Sequence, residues 1–396
     1  MRISKPKITS ENNKRMYQVE VESTEGKETL WYSVEDKFGE LLTEASDAPV
    51  VALLIPAMLK GEDIHIEGII SDRLYHNLSK SLQSVLQQII PSLNQIKIYP
   101  KEVRSGGAKI ASGVATGFSG GIDSYCALAD YHYSDIPERF KVTHLLFNNV
   151  GSHGRGGERL FEERFKKLLT TTEKIGLPFV KVNSNLHSFY DDVQLRFGLT
   201  HTLRNVSVGL LLQRGIGRYM YASAYQYSDV FIGPTKSMGH SDLVTLPMLS
   251  TETLDAFSIG SEYSRVQKTL RVAELPDSYG TLDVCVNDHN LSGHTNCSRC
   301  WKCLRTLSTL EIAGEEYLER YCDSFDLNIY MSEKKSYLGR LLGSDDPLAR
   351  EIVKFAYVKN YSFPISSHLR YYSELFPITR LARYGLSKLM QLAKMT

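Results

Sequence analysis

The chain has 396 residues, 42% of them hydrophobic and 23% charged, with a formal net charge of +1. That length suggests two or three domains with substantial cores. The near-zero charge rules out a whole-protein field that would draw nucleic acid or acidic lipid. The opening Met1-Arg-Ile-Ser-Lys-Pro-Lys has no apolar core of a signal peptide, and no run approaches eighteen apolar residues. A cytoplasmic protein is therefore expected.

Residues 1–106 read as an N-terminal α+β domain. Tyr17–Glu22 and Glu28–Ser33, split by a Glu-Gly-Lys turn, predict a hairpin. Val50–Leu59 and Ser79–Ile90 have helical content, and Asp63–Gly68 and Gln95–Tyr99 alternate like strands. No catalytic constellation stands out here. Arg104-Ser-Gly-Gly-Ala reads as a linker.

The texture then changes to alternating strands and helices over residues 107–250. Predicted strands are Ala111–Phe118, Thr143–Asn148, Pro178–Asn183 and Arg218–Ser223. Predicted helices are Ser124–Tyr133, Gly157–Ile175 and Val206–Leu212. This order argues for a doubly wound parallel sheet, whose ligands bind outside the carboxyl ends of the strands. Gly117-Phe-Ser-Gly-Gly-Ile-Asp-Ser124 falls at one such end. Two adjacent glycines permit close backbone approach to a ligand. The N–H groups of the following helix start favour an anion. Ser119 and Ser124 add hydroxyls, and Asp123 suits a Mg²⁺ accompanying phosphates. A plain glycine turn is the competing account.

Other residues at these strand ends are Asn148, Asn149 and Ser223. His153 stands on the loop Ser152–Gly157, which would lie over a nucleotide; an idle surface histidine is an equal alternative. Residues 251–320 read as helices around a cysteine cluster. In that stretch Arg265 and Lys268, with Arg271, share a helix face able to bind pyrophosphate or a carboxylate; a solvated charged face is the alternative.

Four of the six cysteines, Cys285, Cys297, Cys300 and Cys303, cluster with Cys-x2-Cys-x2-Cys spacing in the last three. Four thiolates suit a tetrahedral, structural Zn²⁺. His289 or His294 could replace Cys285, and an iron–sulfur cluster is the minor competitor. Clustered thiols fit a reducing compartment better than a disulfide framework. Residues 321–396 read as a helical extension, in which Arg380, Arg383, Lys388 and Lys394 form a basic arc. A packed terminal helix is the alternative to a docking helix there.

Ser119-Gly-Gly-Ile-Asp-Ser124 resembles the PP-loop of the ATP pyrophosphatases, in the adenine-nucleotide α-hydrolase superfamily. The cysteine cluster ending in Cys303-Leu-Arg305 narrows the resemblance to proteins like the 7-cyano-7-deazaguanine synthases, over roughly residues 108–315. The resemblance implies ATP, Mg²⁺ and Zn²⁺ as cofactors. It implies cleavage of ATP to AMP and pyrophosphate, with adenylation of a carboxylate that ammonia or an amine then attacks. Ser119, Gly120, Gly121, Ile122, Asp123 and Ser124, with Asn148, His153 and Ser223, would bind nucleotide. Asp123, Ser119, Arg265 and Lys268 would carry the chemistry. The chain departs from the family in a long Cys285–Cys297 gap, in Asn148-Asn149 where an acid is common, and in its flanking segments. Those flanks fit the versions that occur in antiphage systems, where a deazaguanine is joined to a protein partner. Two further readings stand beside this one: an adenylating, amide-forming ligase acting on another metabolite such as a sugar acid, and a non-catalytic nucleotide-binding scaffold.

Overall fold

The computed structural model describes residues 1–106, 109–154, 156–191, 195–286, 293–365 and 367–368. Two compact units divide at Tyr263/Ser264. Among the described residues, no helix is long and apolar enough to cross a membrane.

The first unit opens with strands β1 (Arg2–Ile3), β2 (Lys7–Glu11), β3 (Lys14–Ser23) and β4 (Gly26–Glu35). The hairpin expected from sequence is β3–β4, paired antiparallel with Tyr17 opposite Tyr32. Helix α1 (Asp47–Lys60), strand β5 (Ile64–Ser71), helices α2 (Asp72–Ser79) and α3 (Ser81–Ile89), and strand β6 (Ile98–Arg104) follow. The single helix expected over Ser79–Ile90 breaks at Lys80 (φ −123°, ψ −81°), so its first residue closes α2 and the remainder is α3. The strand expected at Gln95–Tyr99 starts later, at Ile98, where parallel pairing with β5 begins.

A β/α series comes next: β7 (Gly113–Gly117), α4 (Ile122–Tyr131), β8 (His144–Asn148), α5 (Glu158–Ile175), β9 (Phe179–Ser184), α6 (His201–Leu211), β10 (Ile216–Ala222), α7 (Asp242–Met248) and β11 (Asp255–Ile259). All neighbouring pairs in this series are parallel, in the order β11-β10-β7-β8-β9. The first strand of the series is thus central, and the order reverses on either side of it. Strand β11 lies inside the stretch expected to be helical. Its Asp255-Ala-Phe-Ser-Ile is short, and parallel pairing with β10 holds it extended.

Residues 1–106 do not pack as a separate body. Strand β4 pairs antiparallel with β9, Tyr32 opposite Ser184, which makes one mixed eleven-stranded sheet among the described residues. One apolar core runs from Ile3 through α1 and α6 to Ala256. Asn185 latches the junction: its Oδ1 accepts from Trp31 N at 2.9 Å and its Nδ2 donates to Thr29 O at 2.8 Å. Buried Asp47 ties α1 to the rest by accepting from Ser71 N, Ser71 Oγ and Gln213 Nε2 at 2.7–2.8 Å.

The second unit is helical: α8 (Arg265–Ala273), α9 (Trp301–Ala313), α10 (Glu315–Glu319), α11 (Leu327–Leu342) and α12 (Pro347–Val358). Asp326 and Asp346 cap α11 and α12 through their carboxylates, satisfying first-turn N–H groups. Arg380, Arg383, Lys388 and Lys394 lie outside the described residues, as does His289.

Candidate nucleotide site and metal centre

Strand β7 reads Gly-Val-Ala-Thr-Gly and is buried along most of its length, as a central parallel strand must be. The chain leaves it at Gly117 and enters α4 at Ile122. Gly120 makes the turn at φ +74°, a conformation that a side chain would strain. Gly121 is the N-cap of α4, and no side chain caps that end. Helix geometry leaves the first-turn N–H groups outside the intrahelical ladder, so the loop stands at the positive end of the helix dipole. Ser119 is exposed and Asp123 half-buried in the first turn. Ser124 differs from expectation. It is buried, and its hydroxyl donates to Gly121 O at 2.9 Å, so it braces the loop from below.

Because the strands are parallel, Asn148 and Ser223 reach the same sheet edge as this loop. Asn148 Nδ2 donates to Asn205 Oδ1 at 3.1 Å, and Asn149 Nδ2 donates to Asn183 Oδ1 at 2.7 Å. Ser223 is buried; its hydroxyl donates to Tyr225 O at 2.8 Å and shapes the turn after β10. His153 packs its ring edge against Phe147 and Phe161, with centroids 5.8 and 5.3 Å away.

The structure adds His201 and Asn205, which the sequence did not single out; with Tyr221 they are half-buried at the same edge. His201 Nδ1 lies 2.7 Å from Tyr221 Oη, and Asn205 Nδ2 donates to His201 O at 2.9 Å. Removal of its ring from water lowers His201 to about 4, so it is neutral near pH 7. Burial, then the negative charge of Asp242 and, more weakly, that of Asp123, raise Tyr221 well above an ordinary phenol. The phenol therefore keeps its proton and donates it to His201 Nδ1. His201 and Thr202 begin α6, and only their position at a helix start facing strand ends could have marked them.

In the second unit, Arg265 and Lys268 are buried, so they do not form the exposed charged face that their spacing allowed. Ser264 and Gln267 form a capping box at the start of α8, and Glu351 from α12 accepts from Arg265 N at 2.7 Å.

The candidate metal-ligand set is Cys285, Cys297, Cys300 and Cys303, whose sulfurs all lie within 4.8 Å of one another. Cys300 Sγ is 3.3 Å and Cys297 Sγ 3.9 Å from Cys303 Sγ. Four sulfurs about 2.3 Å from one zinc ion stand roughly 3.8 Å apart, so the donor set fits a tetrahedral ion. His294 is not in the cluster. Mutual contacts of the cysteine thiols lower Cys300 and raise Cys303, so the thiols share their protons as one set. Fully buried Asn296 holds the two arms of the knuckle together. Its Oδ1 accepts from Val284 N at 2.9 Å, and its Nδ2 donates to Leu282 O at 2.7 Å and Ser324 O at 3.0 Å. Ser298 turns the knuckle at φ +55°.

Comparison with protein-family models, curated proteins and solved structures found no match.

Proposed function

We propose that the protein is an ATP-dependent adenylating enzyme of the PP-loop type that activates a carboxylate for attack by ammonia or an amine. The observation that carries this reading is the loop Ser119–Ser124. It joins the carboxyl end of the central strand to an uncapped helix start, where the strand order reverses. Parallel sheets bind nucleotides at such a position. The parallel order, with the first strand in the middle, supports a doubly wound domain of this type.

In this reading ATP lays its β- and γ-phosphates on Ser119–Ser124, with Mg²⁺ held beside them by Asp123. The ion would neutralise charge on the leaving pyrophosphate. The loop supplies preorganised N–H donors at the same place, so catalysis rests on positioning and charge stabilisation. The four-cysteine knuckle would carry a structural Zn²⁺, since four protein ligands leave no open position. The acceptor class favoured by the resemblance is a deazapurine carboxylate, used for amide or nitrile formation or for conjugation to a protein partner.

The test is ATP turnover against a panel of deazapurine acids, sugar acids and co-purifying proteins, with all nucleotide products quantified. AMP and pyrophosphate in equal amounts are expected. ADP and phosphate as products would sink the assignment.

A further inference from the structure

Asp242 is fully buried and plays no part in the proposed phosphate site, yet it is wired to it. Thr202 Oγ1 donates to Asp242 Oδ1 at 2.6 Å. The same hydroxyl oxygen lies 3.4 Å from His201 Nδ1, which in turn accepts from Tyr221 Oη at 2.7 Å. Tyr221 stands at the sheet edge within the electrostatic reach of Asp123. Hydrogen bonds from two adjacent residues of α6 therefore place one interior carboxyl close behind the strand-end site. The other oxygen of that carboxyl, Oδ2, has no hydrogen-bond partner among the described residues.

We propose that Asp242 is the proton-holding group behind this site, so that an anionic nucleotide binds together with a proton taken up at Asp242. The inference rests on the nucleotide reading above. The transfer balances with the buffer as the only other reactant. A proton from the buffer acid joins the carboxyl at its unpartnered Oδ2 and leaves the buffer base behind. One O–H bond has formed on the carboxyl, and Thr202 Oγ1 still donates to Oδ1.

The energetics point the same way. Burial raises Asp242 to about 7, against which the Thr202 hydroxyl bond is the smaller, opposing effect. The titratable groups that feel its charge are Tyr219 and Tyr221 of β10, both raised by it, while His201 of α6 lies on the far side of the Thr202 hydroxyl. Adding phosphate charge near Tyr221 makes ionised Asp242 costlier still, and in a poorly polarisable interior that coupling is little screened.

The experiment is titration calorimetry of the full-length protein with MgATP at pH 7.5 in two buffers, Tris and PIPES, whose protonation heats differ. Wild type should take up a measurable fraction of one proton per nucleotide bound, and Asp242→Asn should bind with none. Thr202→Val removes the bond that steadies the carboxylate. Its uptake should be smaller at pH 7.5 and peak at higher pH, which keeps the test decisive if Asp242→Asn does not fold. Undiminished uptake in a binding-competent Asp242→Asn, or a Thr202→Val uptake curve identical to wild type, overturns this inference alone. No binding of MgATP by wild type removes the nucleotide reading and this inference with it.

Discussion

Asp123 and Ser119 occupy the two ends of the glycine turn, one half-buried in the first turn of α4 and one exposed before it. Neither contributes to the apolar core, so replacing them should leave the fold intact. Losing one preorganised group at a developing charge costs on the order of 3 kcal/mol, or about a hundredfold in rate. Asp123→Ala and Ser119→Ala should each cut AMP formation by about that factor with an unchanged melting temperature; wild-type turnover in both would refute the site. Asp242 gives a second residue-scale expectation, this one on stability. Its folded value of about 7 lies above the ordinary carboxylate value of 3.8. The folded state therefore holds a proton that the unfolded chain releases, and stability falls as pH rises from about 4 to about 7. His201 works in the opposite direction: it is lowered from 6.5 to about 4, so its contribution is present above 6.5 and lost as pH falls toward 4. Asp242→Asn removes the first effect and keeps the second. The melting temperature of the variant minus that of wild type should climb between about pH 4 and pH 7 and then level off. A difference that is flat across that range would mean that Asp242 ionises normally. The glycine turn was legible in the sequence because it is local: six consecutive residues make it. The Thr202–Asp242 bond was not, because it joins residues forty positions apart whose types are ordinary in helices.

At the scale of elements, the cysteine knuckle was legible for the same reason, since its spacing alone brings three sulfurs together. The fourth member needed the structure, which groups Cys285 and not His294 with them within the described residues. Asn296 was invisible, because its three partners are backbone groups in segments read only as helical. Metal binding of this kind is coupled to folding. About one zinc per chain is expected by elemental analysis, and Cys300→Ser should lose it together with much of the melting temperature. A folded protein without metal, or iron with acid-labile sulfide, would overturn the assignment. The alternating strands and helices of residues 111–223 were read to within a few residues at most boundaries, because glycines and apolar periodicity punctuate them. Strand β11 was missed because five residues with two polar members carry too little pattern to outweigh helical neighbours.

The whole molecule shows what local reading leaves out. A composition change near residue 106 suggests a domain boundary, but the structure joins both sides in one sheet and one core. Strand β4 covers the open edge of β9, and α1 packs on α6 through residues that are completely buried. Tyr190, after β9, donates its hydroxyl to Ala52 O in α1 at 2.7 Å, and Tyr32 in β4 lies 3.1 Å from Ser207 Oγ in α6. Removing residues 1–106 would therefore uncover a row of unpaired strand groups on β9 and the apolar face of α6. Exposed edges of this kind template aggregation. Burying a large aliphatic side chain is worth about 1.5–3 kcal/mol. Losing several such contacts exceeds the net stability of a typical domain, about 5–15 kcal/mol. A chain of residues 107–396 should be insoluble or unfold without a cooperative transition, although it keeps the glycine loop and all four knuckle cysteines. The comparison is solubility and thermal unfolding by circular dichroism against the full-length protein. A soluble 107–396 chain with a sharp transition would show that the N-terminal strands are an accessory to the nucleotide fold, as their sequence suggested, rather than half of its core.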